Sequence, residues 1–248
     1  MHTIYILWLR QLKRYFRSKA RIVGSLGQPI LFLLAFGFGF GPVFAKAGGG
    51  NYMEFLAPGI VAMGILFTAV FSGIEIIWDK QFGFLKETLA APVSRFNIMI
   101  GRTLGGATVA VIQGVIVFLL AVLFGFKIEN FLLLPMVFLF MFLIALLFTA
   151  LGTAIASFLE DMQGFQLIMN FVVMPIFFLS GSIFPVDQLP GVLSSIIKLN
   201  PLFYGIDGIR QSLTNIGSMS LFTDLSVLTV VTLIFVVIGA ISFSKIEI

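Results

Sequence analysis

Six apolar stretches, each long enough to cross a lipid bilayer as a helix, constrain this chain more than any other feature. A hydrocarbon core about 30 Å thick needs about 20 helical residues. Glu75 is the only formally charged residue inside these stretches. The sequence therefore predicts an all-α integral membrane protein, with a single domain over residues 1–248 and six transmembrane helices at residues 22–44, 55–77, 104–126, 131–159, 165–184 and 225–243.

The composition agrees with lipid as the main solvent. Hydrophobic residues make up 59% of the chain and charged residues 10%, and the mean hydropathy is +1.12. A soluble fold needs more charged side chains at its surface, so a soluble globular protein is excluded. The absence of cysteine excludes disulfides, thiolate metal ligands and a cysteine nucleophile. The single histidine, His2, is interpreted as an interfacial polar residue.

The distribution of Lys and Arg predicts the orientation of the chain. Basic residues near the ends of spans resist translocation and stay on the cytoplasmic side. If the N-terminus is cytoplasmic, eleven basic residues lie inside and four outside. We therefore expect a multi-pass protein of the cell inner membrane with both termini in the cytoplasm. The outer set is Lys46, Lys127, Lys198 and Arg210.

Residues 1–20 predict an amphipathic helix that lies at the membrane interface. At 100° per residue, most of the apolar side chains fall on one arc and the basic side chains on the opposite arc. Ile6 and Leu7 depart from the pattern, so an irregular basic tail is the alternative. The apolar set is Ile4, Tyr5, Trp8, Leu9, Leu12, Tyr15 and Phe16, and the basic set is Arg10, Lys13, Arg14 and Arg17.

A second amphipathic segment lies between the second and third spans. Phe82, Leu85 and Leu89 repeat at helical spacing, and Pro92 ends the helix because the residue before a proline avoids the α region. An apolar stripe in a cytoplasmic loop needs a cover. Either the protein's own helix ends or a partner protein supplies it.

The region from residue 174 to residue 204 predicts an interrupted fifth span followed by a re-entrant segment. Pro175 interrupts the span, and the backbone groups that it frees must be satisfied inside the protein. A short apolar helix opens near Pro190 and is expected to dip back toward the bilayer. Asp207 and Arg210, three residues apart on a further short helix, are expected to form a surface pair of small energetic value.

These segments resemble the ABC-2 type permeases, and most closely membrane subunits of the daunorubicin-resistance and nodulation-export kind. The resemblance rests on the loop that ends in Ala-Pro-Val-Ser-Arg at residues 91–95, on Gly101-Arg102, on Leu-Ser-Gly at residues 179–181, on the turn from Pro185 to Pro190 and on Asn200-Pro201. It covers nearly the whole chain. It implies a half-transporter, most simply a homodimer, that binds two copies of a separate ABC ATPase.

The resemblance also implies roles for particular residues. Residues 1–20 correspond to a connecting helix, residues 79–91 to a coupling helix that seats in the ATPase, and residues 185–200 to an extracellular gate. Substrate is expected between the protomers, along the second and fifth spans. The implied residues are Lys80, Phe82, Leu85, Lys86, Glu87 and Leu89 for ATPase coupling, Pro185, Leu189, Pro190, Asn200 and Pro201 for the gate, and Phe67, Phe71, Asn170, Met174 and Phe177 for the substrate path.

The chain itself lacks the sequence elements of an ATPase. A P-loop requires Gly-Lys followed by Ser or Thr, and no Gly-Lys pair occurs anywhere. We expect no cofactor in this chain, with ATP and Mg bound by the partner. The chain is thus a transport subunit, not an enzyme.

Glu75 lies near the cytoplasmic end of the second span, where an unpaired buried charge costs several kcal/mol. We interpret it as part of a polar relay in which it pairs with Arg10, Arg14 or Arg17 of the connecting helix. The alternative is a carboxylate that extends to interfacial water. Other polar residues in the spans, such as Gln113 and Asn170, are mostly typical of contacts between helices.

Two further patterns carry less information. Gly37 with Gly41, and Gly101 with Gly105, have the small-xxx-small spacing that permits close helix contact and are weak indicators of a dimer face. Glu160 and Asp161 are adjacent in a tight turn without His or Cys nearby and are interpreted as solvated.

Export of an amphiphilic drug, lipid or lipid-linked glycan is the predicted function, and phospholipid headgroups are the expected counter-charge for the basic residues. The alternative is an ion-coupled secondary transporter, which usually has ionisable residues near mid-membrane. A membrane-embedded enzyme is disfavoured because His, Glu, Ser and Cys do not cluster at one depth. Nucleic acid is not an expected partner.

Overall fold

The computed structural model describes residues 2–46, 50–186 and 189–246, and the described chain is all-helical, without β-strands. This confirms the predicted fold class. The α-helices are α1 (His2–Arg17), α2 (Lys19–Phe32), α3 (Gly41–Lys46), α4 (Tyr52–Phe71), α5 (Ile74–Gln81), α6 (Phe84–Ala90), α7 (Arg95–Leu123), α8 (Leu134–Phe158), α9 (Met162–Phe178), α10 (Gly191–Leu199), α11 (Pro201–Thr214) and α12 (Leu221–Ser244).

Five helical stretches in the described part of the chain are long and apolar enough to cross a membrane. The helix in the predicted fifth position, α9, is apolar but has 17 residues. It ends at Phe178 because the backbone then turns, with Gly181 at φ +69°, so the predicted extension to residue 184 is wrong. The five stretches are Lys19–Lys46, Tyr52–Gln81, Arg95–Leu123, Phe131–Phe158 and Leu221–Ser244.

The first spanning stretch is irregular. Between α2 and α3 the backbone forms a π-helical segment, Leu33–Phe38, preceded by Pro29 within α2. Gly37 of this segment lies against the methyl end of Met53, whereas no described atom lies within 4 Å of a Cβ built on Gly41. Gly37 therefore brings the first and second stretches of the same chain together.

Helix α4 forms the centre of the molecule, since most of its side chains are buried among α7, α8 and α11. Asn51 caps its first turn by accepting a hydrogen bond from the Met53 N–H at 3.0 Å. At the junction with α5, a Cβ on Gly73 would lie 2.5 Å from the Gly152 carbonyl oxygen. Only glycine permits this close approach between the second and fourth stretches.

The predicted N-terminal helix is present as α1 and packs along α7. A Cβ on Gly101 would lie 3.0 Å from the Ile4 carbonyl oxygen, and one on Gly105 would lie 2.7 Å from the Gln11 Cβ. Gly101 and Gly105 therefore form the surface of α7 on which α1 packs, and the assignment of this glycine pair to a dimer face is wrong. The spacing alone does not say which helix occupies the groove.

Polar contacts hold α1 in this groove. The Trp8 indole N–H donates to the Thr108 hydroxyl at 2.9 Å, and the Tyr15 hydroxyl donates to the Gln113 Oε1 at 2.7 Å. Burial raises the pKa of Tyr15, which keeps this phenol a donor. Gln113 is thus a contact between helices, as its position in an apolar span indicated.

Candidate functional site

The predicted coupling helix is two pieces joined by a left-handed glycine. Asp79, Lys80 and Gln81 complete α5, Gly83 has φ +81°, and the separate short helix α6 begins at Phe84. The single helix expected over residues 79–91 is therefore wrong. Glycine adopts positive φ without strain, which permits the sharp change of direction between the two pieces.

The apolar stripe of α6 does not form one exposed surface. The Leu85 side chain is buried, and the Leu89 side chain packs partly buried against the core. Phe82 is 71% exposed and Phe84 is 54% exposed. The Leu85 and Leu89 side chains therefore anchor α6 to the protein itself, whereas Phe82, Phe84, Lys86 and Glu87 form an exposed surface, which we call the α6 surface.

Lys80, which the sequence assigns to the ATPase contact, faces the other way. Its Nζ donates to the carbonyl oxygens of Ala156 at 3.2 Å, Ser157 at 2.8 Å and Leu159 at 3.1 Å. These carbonyls belong to the carboxyl end of α8, where a cation is favoured. The adjacent Gln81 donates to the Glu160 carbonyl oxygen at 3.0 Å. We call these contacts the Lys80 clamp; it joins the end of α5 to the turn between α8 and α9.

The residues of the Ala-Pro-Val-Ser-Arg motif cap helices. The Ser94 hydroxyl accepts a hydrogen bond from the Asn97 N–H at 3.3 Å and opens α7. Arg95 donates to the Ile246 carbonyl oxygen at 2.9 Å, beyond the end of α12. The cap at Ser94 also explains why α7 begins nine residues before the predicted third span.

A cluster of ion pairs around two buried carboxylates lies beside α6 and joins α1, α2, α5 and α7. Glu75 and Asp79, one turn apart on α5, are each 5% exposed. The Glu75 carboxylate lies 2.9 Å from Arg21 and 3.7 Å from Arg14. The Asp79 carboxylate pairs with Arg10 at 3.0 Å and with Arg102.

Of the three arginines predicted to pair with Glu75, only one does so in the structure. Arg14 pairs with Glu75, but Arg10 pairs with Asp79, and Arg17 has no ion pair in the described part of the chain. The sequence analysis missed Asp79, Arg21 and Arg102 as members. The four-residue spacing from Glu75 to Asp79, which places both carboxylates on one helix face, was the available signal.

The predicted substrate-path residues lie in three places. Phe67 and Phe71 line a cavity of about 180 Å³ between α2 and α4. Phe177 is buried, with its ring edge-on to Phe32 at a centroid distance of 6.1 Å. Asn170 and Met174 lie on the exposed face of α9.

The cavity between α2 and α4 combines aromatic and polar side chains, of which the sequence analysis identified only the two phenylalanines. Its polar groups lie on α1, α2 and α4, so it arises only when these helices pack together. The lining residues are Tyr15, Arg21, Gly24, Ser25, Gln28, Pro29, Met63, Gly64, Phe67, Thr68 and Phe71.

At the other end of the molecule, Asn200 fastens the predicted gate segment to α9. Its Nδ2 donates to the carbonyl oxygens of Ile176 at 2.6 Å and Leu179 at 2.7 Å. Its Oδ1 accepts a hydrogen bond from the Leu202 N–H at 3.0 Å and caps α11, with Pro201 as the first residue of that helix. Asn200 thereby satisfies carbonyls that lack a partner at the carboxyl end of α9, which continues through Pro175 to Phe178.

The rest of the predicted gate is α10 and the turn before it. Pro190 precedes α10 as its N-cap residue, Pro185 follows the turn after α9, and Leu189 packs partly buried against Val186. Residues 187 and 188 of the predicted segment 185–200 lie outside the described residues.

The interpretation of Asp207 and Arg210 as a surface pair is wrong. Their side chains are 0% and 7% exposed and lie 3.8 Å apart. Arg210 donates to the carbonyl oxygens of Phe55 at 3.3 Å and Gly181 at 3.2 Å. Most side chains of α11 are buried, polar ones included, and the sequence analysis did not predict this burial.

The chain belongs to the ABC-2 type transporter family, whose sequence pattern matches residues 2–214. This confirms the resemblance. The chain is 30% identical over 210 residues to nodulation protein J of Rhizobium leguminosarum bv. trifolii, covering 83% of this chain and 76% of that protein. It is 26% identical over 245 residues to the inner membrane transport permease YadH of Escherichia coli (strain K12), covering 96% of this chain and 94% of YadH.

Family membership defines the class of the protein. It is a multi-pass transport permease, a membrane subunit without an ATPase site of its own, and the family implies partnership with an ABC ATPase subunit.

Proposed function

We propose that this chain is the membrane subunit of an ATP-driven exporter of amphiphilic molecules and that its ATPase, which binds ATP and Mg, seats on the α6 surface. The exposure of Phe82 and Phe84 carries the proposal. Phe84 begins a helix that Leu85 anchors from behind, and Phe82 lies just before it, so the two aromatic side chains offer an apolar contact that needs a cover. Lys86 and Glu87 add charges of both signs beside it.

The proposed orientation places both termini and α6 in the cytoplasm. Eleven basic residues then lie inside and four outside, which agrees with the positive-inside rule. The YadH relative is named an inner membrane permease, and we propose the same membrane for this chain.

In the proposed mechanism, force passes from α6 through α5 to α9, and the ion pairs of α5 move α1 and α7 with it. When two ATPases close on ATP, each pushes an α6 surface, and α5 moves with it. The Lys80 clamp carries this motion to the turn before α9. The ion pairs of Glu75 and Asp79 keep α1 and α7 in register with α5, and Asn200 transfers the shift of α9 to the gate.

The proposed substrate is an amphiphile such as a drug, a lipid or a lipid-linked glycan. The cavity between α2 and α4 supports this class, since Phe67 and Phe71 offer apolar contact while Gln28 and Thr68 offer hydrogen bonds. Pockets of mixed lining suit ligands with both apolar and polar parts. Asn170 and Met174 on α9 extend the proposed path beyond this cavity.

A homodimer is the proposed assembly. The exposed face of α9 carries Gln163, Gln166 and Asn170 within an otherwise apolar helix. Lipid tails satisfy none of the hydrogen bonds of these amides. A second copy of the chain, packed against this face, supplies partners and encloses the path.

Binding of the chain to its ABC ATPase subunit, measured with purified proteins, tests the proposal. Phe82→Ala with Phe84→Ala should weaken the affinity at least tenfold, because two aromatic anchors are removed from the contact. Phe131→Ala is the matched control, since Phe131 is 67% exposed but lies beyond the end of α7 remote from α6. Equal ATPase affinities of the unmodified chain, the double variant and Phe131→Ala would contradict the proposal.

An ion-coupled secondary transporter is the second candidate, and one observation favours it. Asp224 in the first turn of α12 is fully buried, and neither of its oxygens has a hydrogen-bond partner within the described residues. Transport into proteoliposomes distinguishes the two. Transport driven by a proton gradient without ATPase or ATP would establish the second candidate and exclude the first.

A further inference from the structure

Helix α1 forms a basic groove on its side away from α7. The groove lies at the bend where α1 meets α2, and it encloses about 700 Å³. Four cationic side chains line it together with two apolar ones and one hydroxyl. The lining residues are Ile6, Leu9, Arg10, Lys13, Arg14, Arg17 and Ser18.

Positive charge exceeds negative charge around this groove. The only carboxylates in the ion-pair cluster beside it are Glu75 and Asp79, and both are shared, with Arg21 and Arg102 as second partners. Lys13 and Arg17 are exposed and form no ion pair in the described part of the chain. The groove therefore lacks negative charge to balance at least two of its cations. An anionic ligand would supply that charge.

The apolar surroundings of the groove point to a lipid as the source of that anion. Ile6 is 49% exposed in the groove, and the neighbouring Tyr5 and Phe16 are each 56% exposed. Exposed aromatic side chains on a basic helix are typical of the boundary between headgroups and acyl chains. A soluble phosphate would satisfy the cations but would leave these side chains in water.

We infer that the groove of α1 binds the headgroup of an anionic phospholipid, with the phosphate near Lys13 and Arg17 and the start of an acyl chain along Ile6 and Leu9. Arg10 and Arg14 contribute through the N–H groups that their ion pairs leave unused. The bound lipid holds α1 at the membrane surface and completes the charge balance of the cluster. This site does not depend on an ATPase partner or on the identity of the transported molecule.

Trp78 provides a local reporter for the test. The guanidinium of Arg14 lies 4.9 Å from the centre of the Trp78 ring, and Trp8 is the only other tryptophan. The Trp8→Phe variant therefore has one tryptophan, which lies next to the groove. The full chain with this change is reconstituted in phosphatidylcholine vesicles that contain either brominated phosphatidylglycerol or brominated phosphatidylcholine as quencher.

We expect phosphatidylglycerol to quench Trp78 at much lower mole fractions than phosphatidylcholine, and added salt to reduce the difference. Lys13→Gln with Arg17→Gln should weaken the apparent affinity for phosphatidylglycerol about 25-fold, since each cation near an anionic surface is worth about fivefold. Both residues are exposed and outside the ion pairs, so the change leaves the fold intact. Lys127→Gln with Lys198→Gln, two exposed lysines outside α1, is the matched control.

Four results would overturn the inference. Equal quenching by the two brominated lipids excludes a headgroup site, and a preference that survives Lys13→Gln with Arg17→Gln places it elsewhere. Suppression of the preference by inorganic phosphate at matched ionic strength identifies a soluble anion as the ligand. Complete displacement of phosphatidylglycerol by the ATPase subunit identifies the groove as a protein contact, whereas retention of the lipid in that complex supports the site.

Discussion

Arg102 of α7 and Asp79 of α5 form a buried ion pair, with side chains that are 4% and 6% exposed. The pair joins the helix that leads into α6 to the helix that leads out of it. The Nε and Nη1 atoms of Arg102 have no hydrogen-bond partner within the described residues, so Asp79 supplies most of the compensation for the buried cation.

Asp79→Asn should lower the free energy of unfolding by about 3–5 kcal/mol, because it leaves Arg102 buried without a countercharge. Asp79→Leu combined with Arg102→Met, which removes both charges, should lower it much less. Thermal unfolding in detergent, followed by circular dichroism, measures both. A double variant less stable than Asp79→Asn would contradict this account of the pair.

Glu75→Gln should reduce transport and the stimulation of the ATPase by substrate, while the complex still assembles. The amide keeps the size of the side chain but loses the charge that attracts Arg14 at 3.7 Å and that accepts the hydrogen bond of Arg21 at 2.9 Å, a contact worth about 1.5–3 kcal/mol. Glu129→Gln, at an exposed position, is the control. Unchanged transport and stimulation in Glu75→Gln would exclude the proposed relay.

Lys80→Met should separate ATPase binding from transport. The variant loses the three hydrogen bonds to the end of α8 but keeps the α6 surface, so we expect unchanged affinity for the ATPase and at least tenfold slower transport. Lys86→Met, on the exposed side of α6, should have the opposite primary effect, which is a weaker affinity for the ATPase. Loss of ATPase affinity in Lys80→Met would show that Lys80 belongs to the ATPase contact after all.

Asn200→Ala should destabilise the junction between α9 and α11. It removes two donated hydrogen bonds and one capping contact, which together are worth about 2–4 kcal/mol. Asn200→Asp keeps the cap but loses both donors, so the decrease in the free energy of unfolding should be intermediate. Repulsion between the carboxylate and the two carbonyl oxygens would make the decrease larger. Ser195→Ala on exposed α10 is the control, and unfolding midpoints provide the comparison.

Gly105→Val should displace α1 from α7. A Cβ at this position already lies 2.7 Å from the Gln11 Cβ, whereas Gly27 has no described atom within 4 Å of a built Cβ. Gly27→Val is therefore the matched control. We expect the Gly105 variant to show faster proteolysis within residues 2–17 and a red-shifted Trp8 emission, and an unchanged digestion pattern would contradict the packing of α1 on this face.

Much of the architecture followed from local properties of the sequence. The long apolar stretches, the helix at residues 2–17 and the helical segment after the second span were predicted because transfer to lipid and helical periodicity depend on neighbouring residues. The motifs at residues 91–95 and 200–201 identified the family. Boundaries were less accurate where a cap decided them, as Ser94 does for α7.

The sequence by itself determined that the chain is an all-helical membrane permease with an exposed segment between its second and third spans. Only the tertiary structure decided that Lys80 faces α8, that Arg102 pairs with Asp79 and that Asp207 and Arg210 are buried. The physical reason is that side-chain partners depend on which helices pack together. Residues 77 positions apart, such as Lys80 and Ser157, share no local pattern that reveals their contact.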